Sequence, residues 1–176
     1  MYQLFVDESY QKGHYYVAGV LVNEKQNEAL VTRLDELANS VQKRNSWPAP
    51  PEFHGHALMN GLDDWKSLNG NFGACMTIYQ KVLHTIQNSG AQVYLEGVDV
   101  NRLNARYKYP DSPHEIVLRH TLERVNEYCA RDGEMCKVIA DMVPQQDDFN
   151  EAIQRFIRVD TPGYRSQKLL CVDGDI

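Results

Sequence analysis

Leu4-Phe5-Val6-Asp7-Glu8-Ser9 is an apolar run that ends on two carboxylates, and the turn-like Gln11-Lys12-Gly13-His14 follows it. Its aromatic and β-branched residues predict a strand from Tyr2 to Glu8. Tyr15 to Val22 has the same character, so the short connection that contains glycine predicts an antiparallel hairpin. The first strand then holds Asp7 at the rim of a sheet. Because neighbouring residues of a strand alternate faces, Glu8 is expected to point away from Asp7.

Helical and extended patterns alternate along the rest of the chain. The predicted elements are, in order, a helix from about Asn23 to Arg44, a loop or short helical turn at Gly61–Gly70, a helix from Phe72 to Gln87, a strand from Gln92 to Val100, a helix capped by Ser112 that ends at Gly133, a strand from Met135 to Asp141 and a helix from Asp147 to Ile157. This order predicts an α/β sheet with helices packed against it, in a single domain of residues 1–176.

The composition is that of an ordinary globular protein, with 43% apolar and 24% charged residues. No apolar run approaches the length of a membrane helix, and no signal-peptide pattern begins the chain. We therefore expect a cytoplasmic protein without membrane association. The four cysteines form no CxxC pair and are expected to be reduced, with Cys75 and Cys129 as small core residues.

The net charge of −6 argues against broad electrostatic adhesion to nucleic acid. It does not exclude a nucleic-acid enzyme, since metal-binding carboxylates contribute negative charge and bound cations reverse the local field. Basic residues cluster at Arg102, Arg106 and Lys108, with Tyr107 and Tyr109 between and beside them. This cluster fits either phosphate and base contacts or an ordinary solvated surface.

Three separate segments each deliver a carboxylate: the strand ending on Asp7, the Glu52 motif after a proline-rich break, and the strand ending on Asp141. Asp99, at the end of another predicted strand, is the fourth candidate. Aspartate also favours turns, which explains any one of these acids alone. Taken together they predict a site for Mg²⁺ or Mn²⁺, which prefer oxygen ligands and stabilise phosphodiester cleavage.

Two histidines follow the Glu52 carboxylate in the motif Glu52-Phe53-His54-Gly55-His56. Because they flank a glycine, neither is expected on a regular helix face. His54 is the candidate for proton transfer or substrate contact, since imidazole titrates near neutral pH. Direct metal ligation by His54 and His56, and simple packing, are the alternatives.

The N-terminal motif Phe5-Val6-Asp7-Glu8-Ser9 and its hairpin partner resemble the opening of domain-of-unknown-function family 3800. The Glu52-Phe53-His54-Gly55 segment resembles that family's second motif, and Val138-Ile139-Ala140-Asp141 its later acidic strand. The resemblance spans almost the whole chain. It implies a ribonuclease H-like fold and a metal-dependent nuclease. It also implies a C-terminal helix with another acidic residue, which the sequence to Ile176 does not show.

The leading hypothesis is therefore a Mg²⁺- or Mn²⁺-dependent nuclease that acts on RNA or DNA. Asp7, Glu52 and Asp141 would bind metal, with support from Asp99. His54 or His56 would assist proton transfer or contact the substrate. The alternative is a catalytically degenerate nuclease-fold protein that binds or regulates. A zinc hydrolase that uses His54 and His56 is the third hypothesis. A homodimer through an exposed sheet edge is a further expectation.

Overall fold

A computed structural model describes residues 1–140, 146–163 and 165–173, and the chain divides into two compact units. One unit comprises Met1–Glu24 and Gln92–Ile176, and the other comprises Lys25–Ala91. The elements are, in chain order, β1 (Tyr2–Gln11), β2 (His14–Asn23), α1 (Glu24–Asn45), α2 (Gly55–Asn60), a 3-10 helix (Asp63–Leu68), α3 (Phe72–Asn88), β3 (Gln92–Asp99), α4 (Val100–Arg106), α5 (Pro113–Asp132), β4 (Cys136–Ala140), α6 (Gln146–Arg158) and β5 (Val172–Asp173). The predicted mixed α/β class is confirmed.

The first unit is built on one mixed sheet with strand order β3-β2-β1-β4-β5. β1 and β2 form the expected antiparallel hairpin, β3 pairs antiparallel with β2, and β4 and β5 continue the sheet in parallel. The hairpin turn consists of Lys12 and Gly13, both with positive φ, which suits a tight two-residue turn. β1 extends three residues beyond its predicted end at Glu8, because β2 pairs with it as far as Gln11.

One face of this sheet carries the core of the first unit. Leu4, Val17 and Leu21 alternate toward this face and are buried against the long helix α5 and against α6. The helical residues of this core are Val117, Leu118, Leu122, Val125, Cys129, Ile153 and Phe156. Cys129 in this core and Cys75 in the second unit are buried free thiols, so their predicted core positions are confirmed. The opposite face is more open: Phe5 and Leu95 are exposed there.

The second unit has its own core, around Trp65. This indole contacts the ring of Trp47 edge-on at 5.5 Å between centroids and lies 6.0 Å from that of Phe53. The remaining core residues come from α1, α2, α3 and the 3-10 helix: Val41, Ala57, Leu58, Leu68, Cys75 and Ile78. The 3-10 helix lies within Gly61–Gly70, so the predicted short helical turn in that range is confirmed.

Helix ends follow the capping signals closely. The Ser112 hydroxyl accepts a hydrogen bond from the Glu115 amide at 3.1 Å, and α5 ends at Gly133 with a left-handed backbone. The expectation that neither motif histidine lies on a helix is wrong for His56, because α2 begins at Gly55. His54 is the residue that precedes α2. No helix in the described part of the chain is long and apolar enough to cross a membrane.

Candidate functional site

Asp7 lies on β1 opposite Ala18 of β2, with its side chain exposed. Its carboxylate oxygen Oδ1 accepts a hydrogen bond from the Glu8 amide at 2.9 Å. On the other side of β1, Val6 pairs with Ala140, the last residue of β4. Asp141, the next residue in sequence, lies outside the described residues. The backbone around Asp7 is thus held by sheet pairing, while its side chain remains accessible.

Asp99 ends β3 and caps the helix that follows. Its Oδ1 accepts a hydrogen bond from the Arg102 amide at 3.0 Å, and its Oδ2 lies 4.0 Å from Nε2 of His14. Both Gln11 and Asp99 pair with His14, so Asp99 is two strands across and four residues along from Asp7. Ordinary sheet spacings make that separation about 16 Å. The sheet does not bring these two acids together, and metal ligation by Asp99 stays a separate prediction.

Glu52 belongs to the second unit, where hydrogen bonds hold its backbone on both sides. Its amide donates to Oδ2 of Asp64 at 3.0 Å, and its carbonyl accepts from the indole of Trp65 at 3.1 Å. The amide of His54 also donates to that carbonyl, at 3.0 Å. The Glu52 side chain is exposed. The backbone is therefore fixed by the aromatic core, and the carboxylate is left accessible.

His54 and His56 follow this hydrogen-bonded Glu52 segment in the chain. Both side chains are exposed, and their ring centroids are 6.2 Å apart at a tilt of 48°. Each imidazole is thus accessible to solvent, as proton transfer or substrate contact by His54 requires. Among the residues that the structure describes, no three His, Cys, Asp or Glu side chains form a group that could hold a metal ion. Asp141 is not among those residues.

Glu8 lines a cavity of about 840 Å³ on the core-side face of the sheet, and Asp7 does not. The strand stays regular through both residues, so the expected divergence of these side chains is confirmed. Leu118, Leu122 and Phe156 supply an apolar floor. The remaining lining residues are Tyr10, Tyr15, Ser112, Pro113, His114, Glu115, Arg119, Glu151, Ile153 and Arg155. A cavity of this size and mixed lining is typical of small-molecule or nucleotide sites.

Several polar groups of the cavity have a partner. The Tyr15 hydroxyl lies 2.6 Å from Nδ1 of His114. Burial, with smaller contributions from the Glu8 and Asp7 charges, raises the pKa of Tyr15 to about 12. Both arginines of the lining are paired with carboxylates, Arg119 with Asp111 at 3.2 Å and Arg155 with Glu115 at 3.4 Å. Glu8 and Glu151 add two further acidic groups to the lining.

Sequence reasoning missed this cavity, because its walls combine the β1–β2 hairpin with α5 and α6, which lie far from the hairpin in the chain. One local signal was present. His114, Leu118 and Leu122 recur every four residues and therefore share a face of α5. That periodicity predicts a buried helix face, but it does not indicate that β1 and β2 leave a space opposite its first turns.

Comparison of the chain with protein-family models, with curated proteins and with solved structures gives no match. The roles of the acidic residues and of the cavity therefore have to be inferred from their own geometry and chemistry.

Proposed function

We propose that this protein is a divalent-metal-dependent nuclease of ribonuclease H-like type, in which Asp7 and Asp141 hold Mg²⁺ or Mn²⁺. One observation carries the proposal. β1 and β4 are parallel neighbours with Val6 opposite Ala140, and the next residues of the two segments are Asp7 and Asp141. Asp7 thus lies on β1 beside the point where the parallel strand β4 ends, and Asp141 is the next residue after β4 in the sequence, so the two acids are well placed to share a ligand there.

The chemistry of the donors fits the proposed metal. Carboxylate oxygens are the hard ligands that Mg²⁺ and Mn²⁺ prefer. Asp7 is exposed, and one of its oxygens is oriented by the Glu8 amide, so its carboxylate is both accessible and restrained. When bound, the metal would supply stabilisation of the charge that develops during phosphodiester hydrolysis. The contribution of Asp7 would be to hold the metal ion at a fixed point on the sheet.

The architecture also supports this class. An antiparallel β1–β2–β3 arrangement that continues into parallel β4 and β5 is compatible with the ribonuclease H-like sheet that the resemblance to family 3800 implies. In the second unit, the restrained backbone and exposed carboxylate of Glu52 suit its predicted role as a ligand. The exposed His54 imidazole likewise suits its predicted role in proton transfer or substrate contact.

Calorimetric titration of Mn²⁺ at neutral pH tests the metal site. The wild-type protein is expected to bind saturably, and Asp7→Asn to lose that binding. Asp35→Asn is the matched control, since Asp35 is an exposed aspartate on α1 and its loss changes the net charge equally. Equal binding by wild type and Asp7→Asn would overturn the assignment of Asp7. Titration of Glu52→Gln tests the Glu52 prediction independently.

A cleavage screen with Mn²⁺ then separates the nuclease from its alternative. Metal-dependent hydrolysis of RNA or DNA that falls to background in Asp7→Asn and Asp141→Asn supports a nuclease. Saturable metal binding without hydrolysis of any nucleic acid by the wild type would instead identify a degenerate member that binds or regulates.

A further inference from the structure

The segment from Arg102 to Tyr109 differs in charge from the rest of the chain. It contains three basic residues and no acidic residue, in a protein whose net charge is −6. The segment comprises most of α4 and the loop that follows it. Arg102, Arg106 and Lys108 are all exposed. The segment itself is therefore positively charged, which is the sign of charge that binding to a polyanion requires.

Tyrosine side chains alternate with these basic groups. The side chain of Tyr107 is 51% exposed and that of Tyr109 is 84% exposed. The Arg106 guanidinium lies 5.6 Å from the Tyr107 ring centroid, and the Lys108 ammonium lies 5.2 Å from that of Tyr109. Each side chain therefore lies next to a cation and is at least half exposed. Exposed aromatic rings with adjacent cations are the usual elements of surfaces that stack unpaired bases.

The segment is anchored at the end of the sheet where β1 finishes. The Val100 amide donates to the Gly13 carbonyl at 2.8 Å, which ties the start of α4 to the β1–β2 turn. Tyr10, near that turn, is 66% exposed and lines the cavity together with Ser112. Ser112 follows Tyr109 by three residues. The cavity and the basic segment therefore lie at the same end of the first unit.

We propose that this tyrosine surface, defined as Tyr107 and Tyr109 with Arg102, Arg106 and Lys108, binds single-stranded nucleic acid. The basic groups contact phosphates, and the rings stack on bases. Single strands are favoured because the bases of a duplex are already stacked on one another and hide their faces. The inference extends the proposed nuclease function by naming the form of its substrate.

Fluorescence anisotropy with a labelled oligodeoxythymidine of about 12 residues tests the proposal, since ordinary site sizes are about 4–16 nucleotides. An abasic oligomer with the same number of phosphates, and a blunt duplex of the same length, are the comparison probes. Wild type is expected to bind the oligothymidine at least about tenfold more tightly than either, since each base that stacks on an exposed ring contributes roughly that factor. Equal affinity for the oligothymidine and the abasic oligomer would overturn the proposal.

Two variants test the surface itself. Tyr107→Ala/Tyr109→Ala is expected to weaken oligothymidine binding about tenfold and to leave abasic binding nearly unchanged, because stacking alone is removed. Tyr79→Ala is the matched control, since Tyr79 is an exposed tyrosine of the second unit. The substituted side chains are exposed in both variants, so both are expected to fold. Unchanged oligothymidine affinity in the double variant would refute the role of these rings.

Measurement in EDTA keeps this test separate from the nuclease proposal. If the tyrosine surface fails while Asp7-dependent Mn²⁺ binding holds, only the single-stranded substrate is lost. If Mn²⁺ binding fails while stacking holds, the protein binds single strands without the proposed metal site. Binding of an acidic peptide in place of the oligothymidine would likewise overturn the proposal.

Discussion

Asp7 and Glu52 are both exposed acids on a restrained backbone, but the restraint differs in kind. The strand around Asp7 is held by backbone hydrogen bonds to β2, which almost any sequence of strand-forming residues could make. The backbone of Glu52 is held by two particular side chains, Asp64 and Trp65. The position of Asp7 on the strand is therefore set by the whole sheet, whereas the position of Glu52 in its loop depends on a few residues. Single substitutions should therefore affect the two regions differently.

The largest effect is expected from Trp65→Ala in the second unit. Trp65 is 1% exposed, packs against Trp47 and Phe53, and donates to Glu52. Loss of this ring should reduce the free energy of unfolding by about 3–5 kcal/mol. Urea denaturation monitored by circular dichroism measures the loss. Trp65→Phe keeps most of the volume and should cost clearly less. A loss below about 1 kcal/mol in Trp65→Ala would show that the Glu52 segment does not depend on this residue.

Leu4→Ala is the corresponding test of the strand that carries Asp7. Leu4 is fully buried in the core of the first unit, three residues before the aspartate. The substitution should cost about 3 kcal/mol in unfolding free energy, while sheet pairing keeps Asp7 in place. Mn²⁺ titration of the folded variant should then resemble that of wild type. Phe5→Ala, at the exposed neighbouring position, should cost less. Loss of Mn²⁺ binding by folded Leu4→Ala would show that the position of Asp7 depends on this core residue and not on sheet pairing alone.

Asp64→Ala should have a smaller effect, because it removes one hydrogen bond at an exposed site. The expected loss in unfolding free energy is about 1 kcal/mol. Faster hydrogen exchange at the Glu52 amide, measured by NMR, should accompany it. Asp64→Asn retains an acceptor oxygen and should preserve most of the protection. Unchanged exchange in Asp64→Ala would mean that Trp65 alone holds the segment.

Tyr15→Phe should have the smallest effect on stability at neutral pH and a distinct effect at high pH. Folded Tyr15 keeps its proton to about pH 12, whereas an unfolded tyrosine ionises near pH 10. Its stabilising contribution is therefore complete below about pH 10 and is lost as the pH rises toward 12. An ultraviolet titration of phenolate absorbance should lose one late-titrating tyrosine in the variant. Tyr94, whose pKa is also raised to about 12 by burial, should remain. Loss of an early-titrating tyrosine instead would contradict the burial of Tyr15.

Long periodic segments with clear caps could be predicted closely. The predicted helix from Phe72 to Gln87 ends one residue later in the structure, and Ser112 caps α5 as expected. The short helices α2 and α4 were missed, since seven or fewer residues show hardly two turns of periodicity. For the same reason Asp99 was interpreted only as an acidic strand end. The capping of α4 by Asp99 could not be predicted, because α4 itself could not be predicted from the sequence.

Local pattern determined which residues form β1 and β2, and alternation along β1 was sufficient to separate Asp7 from Glu8. It could not determine which strand would lie beside β1, because pairing between distant segments depends on the packing of the whole core. Only the tertiary structure set β4 parallel to β1 and opened a cavity opposite α5. Only the tertiary structure also left Asp99 two strands away from Asp7. Alternation follows from the geometry of one strand, whereas neighbours in a sheet are selected by long-range burial.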